Sequence, residues 1–257
     1  MKSTVISDKA LIDLNVNIGN YTIIESDVTI GEGTSIGNNV TILSGTRIGC
    51  NCQIHSGAVL GGDPQDLKYN NEYTLLEIGD HNIIRENVTI NRGTITQGKT
   101  SIGNSNLIMA NAHIGHDCRI GHNSIIGFSV GMAGEVTAGD WVNISGLTAI
   151  HQFSRIGSHS MISGLSRIVK DVPPFITAAH EPLRYAGLNT VGLKRRGFSL
   201  EKIEVIKSIY RILFQEKRNI RSALVFIEQN FKPTIERDTI LNFIKMSQRG
   251  IIKGFSE

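Results

Sequence analysis

The chain lacks the features that would span a membrane, stack nucleic-acid bases or staple a fold with disulfides. Aromatic residues make up only 6% of its 257 residues, with a single tryptophan, so there is no row of rings on which bases could stack. The net charge is +3, too small to hold nucleic acid by phosphate contacts, although a local basic patch can still receive an acidic partner. The three cysteines, Cys50, Cys52 and Cys118, are an odd number without framework spacing, which fits a reduced, cytoplasmic protein. No apolar run approaches the ~20 residues of a membrane span. The opening "MKSTVISDKA" has no apolar core of signal-peptide length. These absences predict a cytoplasmic protein with no integral membrane segment and no nucleic-acid partner.

What the chain does have is a period of six. Stepping by six from Ile12 to Ile168 visits 27 positions, of which 24 are apolar and 21 are isoleucine. Glycine often follows the isoleucine, as in "IGEGTS" and "IGNNVT". A small or β-branched residue stands four places after it, as at Val16, Thr22, Val28, Thr34, Val40, Thr46, Cys52 and Ala58. An amphipathic helix would repeat every 3.6 residues, so it is excluded. A hexapeptide repeat of this length is the signature of a parallel β-helix: each hexad is one short strand and a turn, and three hexads close a triangular coil. Isoleucines then stack on isoleucines from coil to coil, while Gly and Asn crowd the turns, where left-handed backbone is needed.

The pattern breaks twice, at 61–77 ("GGDPQDLKYNNEYTLLE") and at 91–101 ("NRGTITQGKTS"). Both read as loops thrown out of a coil that keeps its phase, and loops on a rigid scaffold commonly carry function. The repeat ends near "DVPP" at 171–174, since prolines cannot extend a ladder. Beyond a transitional segment the period becomes helical. Ser199 caps a run in which Ile203, Ile206, Ile209 and Ile212 share a face, and further helices are expected near 220–231 and 233–249, with Pro233 at a start and Gly250 at an end. The expected architecture is therefore mainly β: a parallel β-helix over 1–175, with excursions at 61–77 and 91–101, followed by a small α-helical domain over 176–257.

Residues 18 apart share one edge of the prism in neighbouring coils, about one strand spacing (~4.8 Å) apart. On that rule Gly134 lies beneath His116, Gln152 beneath Gly134 with His151 beside it, and Glu135 beneath Asp117. Ile114 and Cys118 take the inward positions, so His116 and Asp117 are expected outward in a turn. A base needs a neighbour that fixes its tautomer, and an oxyanion needs a backbone N–H; this edge can supply both. Outward His and Asp are often merely solvated, but the cluster of His113, His116, Asp117, His122 and His151 favours function. A zinc site of the hexapeptide-repeat carbonic anhydrase type is the main rival. Against it, His116 and His122 are six apart and so fall on different edges. Cys118 occupies an inward slot, where a thiol is usually inert. "KRRG" at 194–197 is either a solvated charge run or a contact for phosphates or an acidic carrier protein. A solenoid that only binds partners is a third reading, weakly opposed by the 61–77 loop.

Six motifs in order, "QDLKY" at 65–69, "INRGT" at 90–94, "NAHIGHDC" at 111–118, "GLTAIHQF" at 146–153, "DVPPF" at 171–175 and "GLKRRGF" at 192–198, resemble those of the UDP-N-acetylglucosamine O-acyltransferases, which open lipid A synthesis in Gram-negative bacteria. The resemblance implies a β-helix that coils left-handed, against the usual crossover rule. It implies transfer of an (R)-3-hydroxyacyl chain from acyl carrier protein to the 3-hydroxyl of UDP-N-acetylglucosamine, by a homotrimer with active sites between subunits and with no metal or diffusible cofactor. His116 matches the general base, Asp117 the residue that orients it, and the amide of Gly134 the oxyanion donor. His113 and His151 match residues of the substrate cleft, where Gln152 joins them. Gln65, Asp66 and Lys68 match the loop that reaches the sugar nucleotide and the pantetheine. Asn189 and Arg195 match the C-terminal contacts. Gly164 matches the position that measures chain length, and a glycine there implies a long acyl chain. Two departures stand out: Glu135 occupies a place where enteric members carry histidine, and "HEPLRYAG" at 180–187 differs from theirs. The same chemistry on a 3-amino sugar nucleotide, giving an amide, is the alternative within the family.

Overall fold

The computed structural model describes residues 4–216 and 218–254; the outer ends of the two expected units, 1–3 and 255–257, lie outside the described residues. Strands of two to five residues, all but the last two holding an isoleucine of the repeat or its substitute, stack into three sheets that form the faces of a triangular prism. The first face has nine strands, from Val5–Ile6 to Arg167–Ile168, and the second has eight, from Leu11–Ile12 to Arg155–Ile156. The third has ten: Asn17–Ile18 through Met161–Ile162, then Ile176–Ala179 and an antiparallel last strand, Arg184–Leu188. All other pairings are parallel, and the third sheet therefore runs past residue 175 into the segment that carries the helices.

The stacking follows from burial. Ile30, Ile42, Leu60, Ile84, Ile108, Ile114, Ile126 and Ile144 are fully buried, and each contributes about 1.5–3 kcal/mol relative to exposure. Polar residues in the inward corner slots are mostly satisfied along the axis, the buried Ser154 hydroxyl being an exception. The Thr22 hydroxyl donates to Gly37 O, and Asn82 Oδ1 accepts from Asn106 N, whose own Oδ1 accepts from Ser124 N. The corners themselves turn through left-handed residues, among them Asn39, Asn87, Asn111 and Asn123, a conformation that Asn accepts at low cost.

Both breaks in the repeat are insertions at the same prism edge, between first and second face: residues 63–74 leave after Val59–Gly62 and return at Leu75–Ile78, and the second excursion leaves after Thr89–Asn91 and returns at Lys99–Ile102. Register is recovered afterwards. His113 pairs with Gly131, Gly131 with Ala149 and Ala149 with Arg167, each 18 apart, whereas Thr89 pairs with His113 across 24 residues because an insertion intervenes.

Four helices follow: α1 (Thr190–Arg195), α2 (Leu200–Phe214), α3 (Ile220–Asn230) and α4 (Ile235–Lys245). Ser199 caps α2 through a hydrogen bond from Lys202 N, as expected. Two boundaries differ from expectation: Thr234, not Pro233, caps α4, and α4 ends at Lys245, four residues short of 249. Lys194 and Arg195 form the last turn of the short α1 and stand just before α2. The helices seat on the end of the prism: the Tyr210 hydroxyl donates to Pro174 O at 2.6 Å, and the buried Asp171 accepts from Ser247 at 2.6 Å. Among the described residues no helix is long and apolar enough to cross a membrane.

Candidate active site

His116 and Asp117 occupy the corner between first and second face, on the edge that also bears both insertions. Asp117 takes the left-handed backbone of a corner residue, with φ of +60°, and this bends its carboxylate back toward the preceding side chain. His116 Nδ1 lies 2.8 Å from Asp117 Oδ2. The sequence placed the pair outward, in a turn; the turn position holds, but both side chains are buried, His116 at 6% and Asp117 at 3% exposure. The reason is the second insertion. Thr94 lies over the corner, its N–H donating to Asp117 Oδ1 at 2.9 Å and its hydroxyl to Oδ2 at 2.7 Å, while Asp117 N donates to the Thr100 hydroxyl at 2.8 Å. A buried carboxylate is tolerable when hydrogen bonds meet its oxygens. With Asp117 accepting at Nδ1–H, the imidazole presents Nε2 as its basic atom.

Nε2 lies over the next coil. A Cβ built on Gly134 would overlap His116 Cε1 and Nε2, so only glycine fits beneath the ring. The corner is locked by Glu135 N donating to His116 O at 2.8 Å. Gly115 carries no side chain above the amide of Gly134; a Cβ there would sit 2.9 Å from that nitrogen. His116 and the backbone of Gly134, one coil away, thus share one wall of an open groove of about 560 Å³ on the first face, with Asp117 behind the imidazole.

Gln65, His113, His151 and Gln152 line the same groove. Burial holds His113 below the ordinary imidazole range, and its Nδ1 lies 2.7 Å from the Thr89 hydroxyl. His151 Nδ1 lies 3.0 Å from Gln152 O. The floor beneath His113 is made of the small residues Gly131 and Ala149, and it is closed by Arg167 and Val169. Asn91, Arg167 and Val169 were not singled out from the sequence. Arg167 could have been found by the 18-residue rule, since it stands three coils from His113.

Other expected residues are not gathered here. Asp66 and Lys68 sit on the first insertion, with Asp66 Oδ1 accepting from Lys68 N at 3.0 Å, and neither lines this groove. Gly164 is exposed at the edge between third and first face, outside the groove lining. Asn189 and Arg195 line a different cavity, of about 840 Å³ on the third face, with Trp141, His159 and Arg196. Asn189 caps α1 by accepting from Gly192 N at 3.1 Å and donates to His159 O at 2.8 Å.

Cys118 is fully buried and burial pushes its thiol up to about 12, which leaves no thiolate for attack. His122 lies on the edge between second and third face, away from His116, and among the described residues no three His, Cys, Asp or Glu side chains are grouped to hold a metal ion.

The chain was compared with known proteins. The family profile described as "Udp N-acetylglucosamine O-acyltransferase; Domain 2" matches residues 171–252, and that of the bacterial transferase hexapeptide repeats matches 15–44 and 99–134. A curated relative from Burkholderia mallei, an acyl-[acyl-carrier-protein]--UDP-N-acetylglucosamine O-acyltransferase, is 44% identical over 199 residues, 76% of either chain. A solved UDP-N-acetylglucosamine acyltransferase from Bacteroides fragilis superposes with a TM-score of 0.95 at 45% identity, covering 97% of this chain and 98% of the other. The structure of a protein of the same type from Acinetobacter baumannii gives 0.94 at 39% identity, covering 98% and 99%.

Proposed function

Since the chain belongs to the UDP-N-acetylglucosamine O-acyltransferase family, we propose that it transfers an (R)-3-hydroxyacyl chain from acyl carrier protein to the 3-hydroxyl of UDP-N-acetylglucosamine, with His116 as general base. The observation that carries this reading is the buried His116–Asp117 pair, 2.8 Å apart, whose Nε2 edge faces the groove above Gly134. Nε2 takes the proton of the sugar hydroxyl as its oxygen attacks the thioester carbon. The carbonyl oxygen becomes an oxyanion, which the Gly134 N–H stabilises. The C–S bond then breaks, and the imidazolium returns its proton to the leaving thiolate. The products are an ester and a free thiol, with no covalent enzyme intermediate and no call on the buried Cys118. Asp117 holds Nδ1–H and stabilises the transient imidazolium. No metal or diffusible cofactor enters this chemistry.

Assembly as a homotrimer fits the same geometry. Gln65 and the histidines line a groove on the first face, while Asn189 and Arg195 line a cavity on the third. Two half-sites on different faces of one prism meet across a subunit boundary when the third face of one protomer abuts the first face of the next. Mixing inactive His116→Ala and Arg195→Ala subunits tests this: about a quarter of the sites in random trimers regain both groups, so activity returns. No return on mixing contradicts shared sites.

The reaction is tested by offering purified protein a panel of 3-hydroxyacyl carrier proteins, with UDP-N-acetylglucosamine and its 3-amino analogue competing. Ester formation on the normal sugar is expected. Reaction with the amine alone moves the substrate and keeps the mechanism; transfer to neither overturns the reading.

A further inference from the structure

The two insertions leave the prism separately, yet they are tied together at one short stretch, "NRGT", residues 91–94. Backbone N–H groups of Arg92 and Gly93 donate to Gly62 O at 2.9 Å and Leu75 O at 3.0 Å, one on each leg of the 63–74 loop. Asn91 Nδ2 donates to Asp63 O at 2.7 Å. The Arg92 guanidinium pairs with the Asp63 carboxylate at 2.7 Å and donates to the Tyr69 hydroxyl and to Gly61 O. The Arg92 side chain is only 18% exposed but the Asp63 carboxylate is 63% exposed, so the ion pair itself contributes little and the hydrogen bonds carry the link. Two residues on, Thr94 donates twice to Asp117. Gly93 makes the reach possible, because a Cβ there would overlap the backbone of Lys99.

We propose that residues 91–94 are a strut that sets the position of the Gln65 loop relative to the His116–Asp117 pair, with Arg92 and Thr94 as positioning residues. The proposal rests on the reading of that pair as the reaction centre. Apart from this stretch the 63–74 loop is anchored at its far end, where the Tyr73 hydroxyl donates to Asp27 Oδ2 at 2.9 Å, and by the buried Pro64; Leu67 is exposed and the segment adds no strand to the prism. Held at both legs, it presents Gln65 to the groove before substrate arrives, and less ordering is left for the binding step. At the other end, Thr94 supplies two of the three donors that meet the Asp117 carboxylate. It thereby holds the carboxylate turned toward Nδ1.

The test uses the full-length protein with acyl carrier protein donor and UDP-N-acetylglucosamine. Thr94→Val keeps the shape and removes the hydroxyl donor. It should lower kcat about tenfold, with KM little changed. The carboxylate, short of one donor, attracts the imidazolium more strongly, so the acid limb of the pH–rate profile moves to higher pH. Thr94→Ser should restore both. Arg92→Met should raise KM for the sugar nucleotide about tenfold with kcat nearly constant, Arg92→Lys should recover part of it, and in a Gln65→Ala background Arg92→Met should add nothing. Unchanged kcat and pH profile in Thr94→Val, effects of Arg92→Met and Gln65→Ala that multiply, or a Gln65→Ala enzyme with normal KM would each overturn the strut. Full activity in His116→Ala would instead remove the reaction centre on which it rests.

Discussion

The corner at 115–118, "GHDC", and the corner at 121–124, "GHNS", are built alike. Each follows an isoleucine, each has its third residue in the left-handed region (φ +60° at Asp117, +57° at Asn123), and each ends in a small inward residue. Yet His116 is buried against a carboxylate, while His122 is exposed, its Nδ1 accepting from Asn104 N at 2.9 Å and its backbone N–H donating to Asp140 Oδ1 at 2.7 Å. One continues a ladder of polar corner residues and the other leaves it. The difference is the edge: both insertions emerge between first and second face, and the second of them covers the first corner alone. A histidine in a repeat acquires its role from what the rest of the chain lays over it.

Substitution at the two corners puts this contrast to its hardest trial. His116→Ala should lose about 10³–10⁴-fold in turnover while the assembly stays intact, whereas His122→Ala should change turnover less than about twofold. Similar losses in steady-state assays of both would erase the distinction. Next in size is Gly134→Ala. The added methyl displaces the His116 ring, and a shift of about an ångström costs about 10²-fold, while Gly131→Ala, three residues earlier in the strand leading into that corner, meets open space and should leave the fold undisturbed. Crystal structures of the two variants would compare ring positions directly. A third contrast sets the groove edge against the edge bearing Gly164: Gly164→Met should turn the preference toward shorter acyl donors, and an unaltered donor profile removes Gly164 from length selection.

The smallest effect concerns a third histidine, whose surroundings differ from both. His159 packs between Phe175 and Phe198, and burial, assisted by the Arg196 charge, lowers its pKa to about 4 from 6.5. In the unfolded chain it takes up a proton near pH 6.5, so its contribution is complete above that pH and is lost as pH falls toward 4. Thermal melting of His159→Phe should therefore decline less steeply across that window than melting of the parent protein. Equal slopes would mean that His159 is protonated in the folded state at little cost.

The β-helix was legible because an inward isoleucine at every sixth residue leaves no other fold that buries them all. The helix α2 was legible from a cap and a 3.6-residue stripe. Helix α1 was not, because "TVGLKR" has only six residues and a single buried one, Leu193. The His116, Asp117 and Gly134 constellation could be assembled from the 18-residue rule, which is a geometric consequence of the coil. Thr94 escaped, since its partner is 23 residues away across an insertion whose path no periodicity dictates. "INRGT" was visible as a motif, but its hydrogen bonds were not.

By itself, then, the sequence determined the prism, the stacking of His116 on Gly134 and the places where the chain leaves the repeat. A period-six apolar pattern specifies coil geometry locally, residue by residue. Only the tertiary structure decided that both insertions sit on one edge and are bound together at 91–94, that Thr94 closes over Asp117, and that Asn189 and Arg195 face away from the groove. Those outcomes depend on hydrogen bonds between segments far apart in the chain, whose meeting is set by the folded path of irregular backbone and not by any local preference.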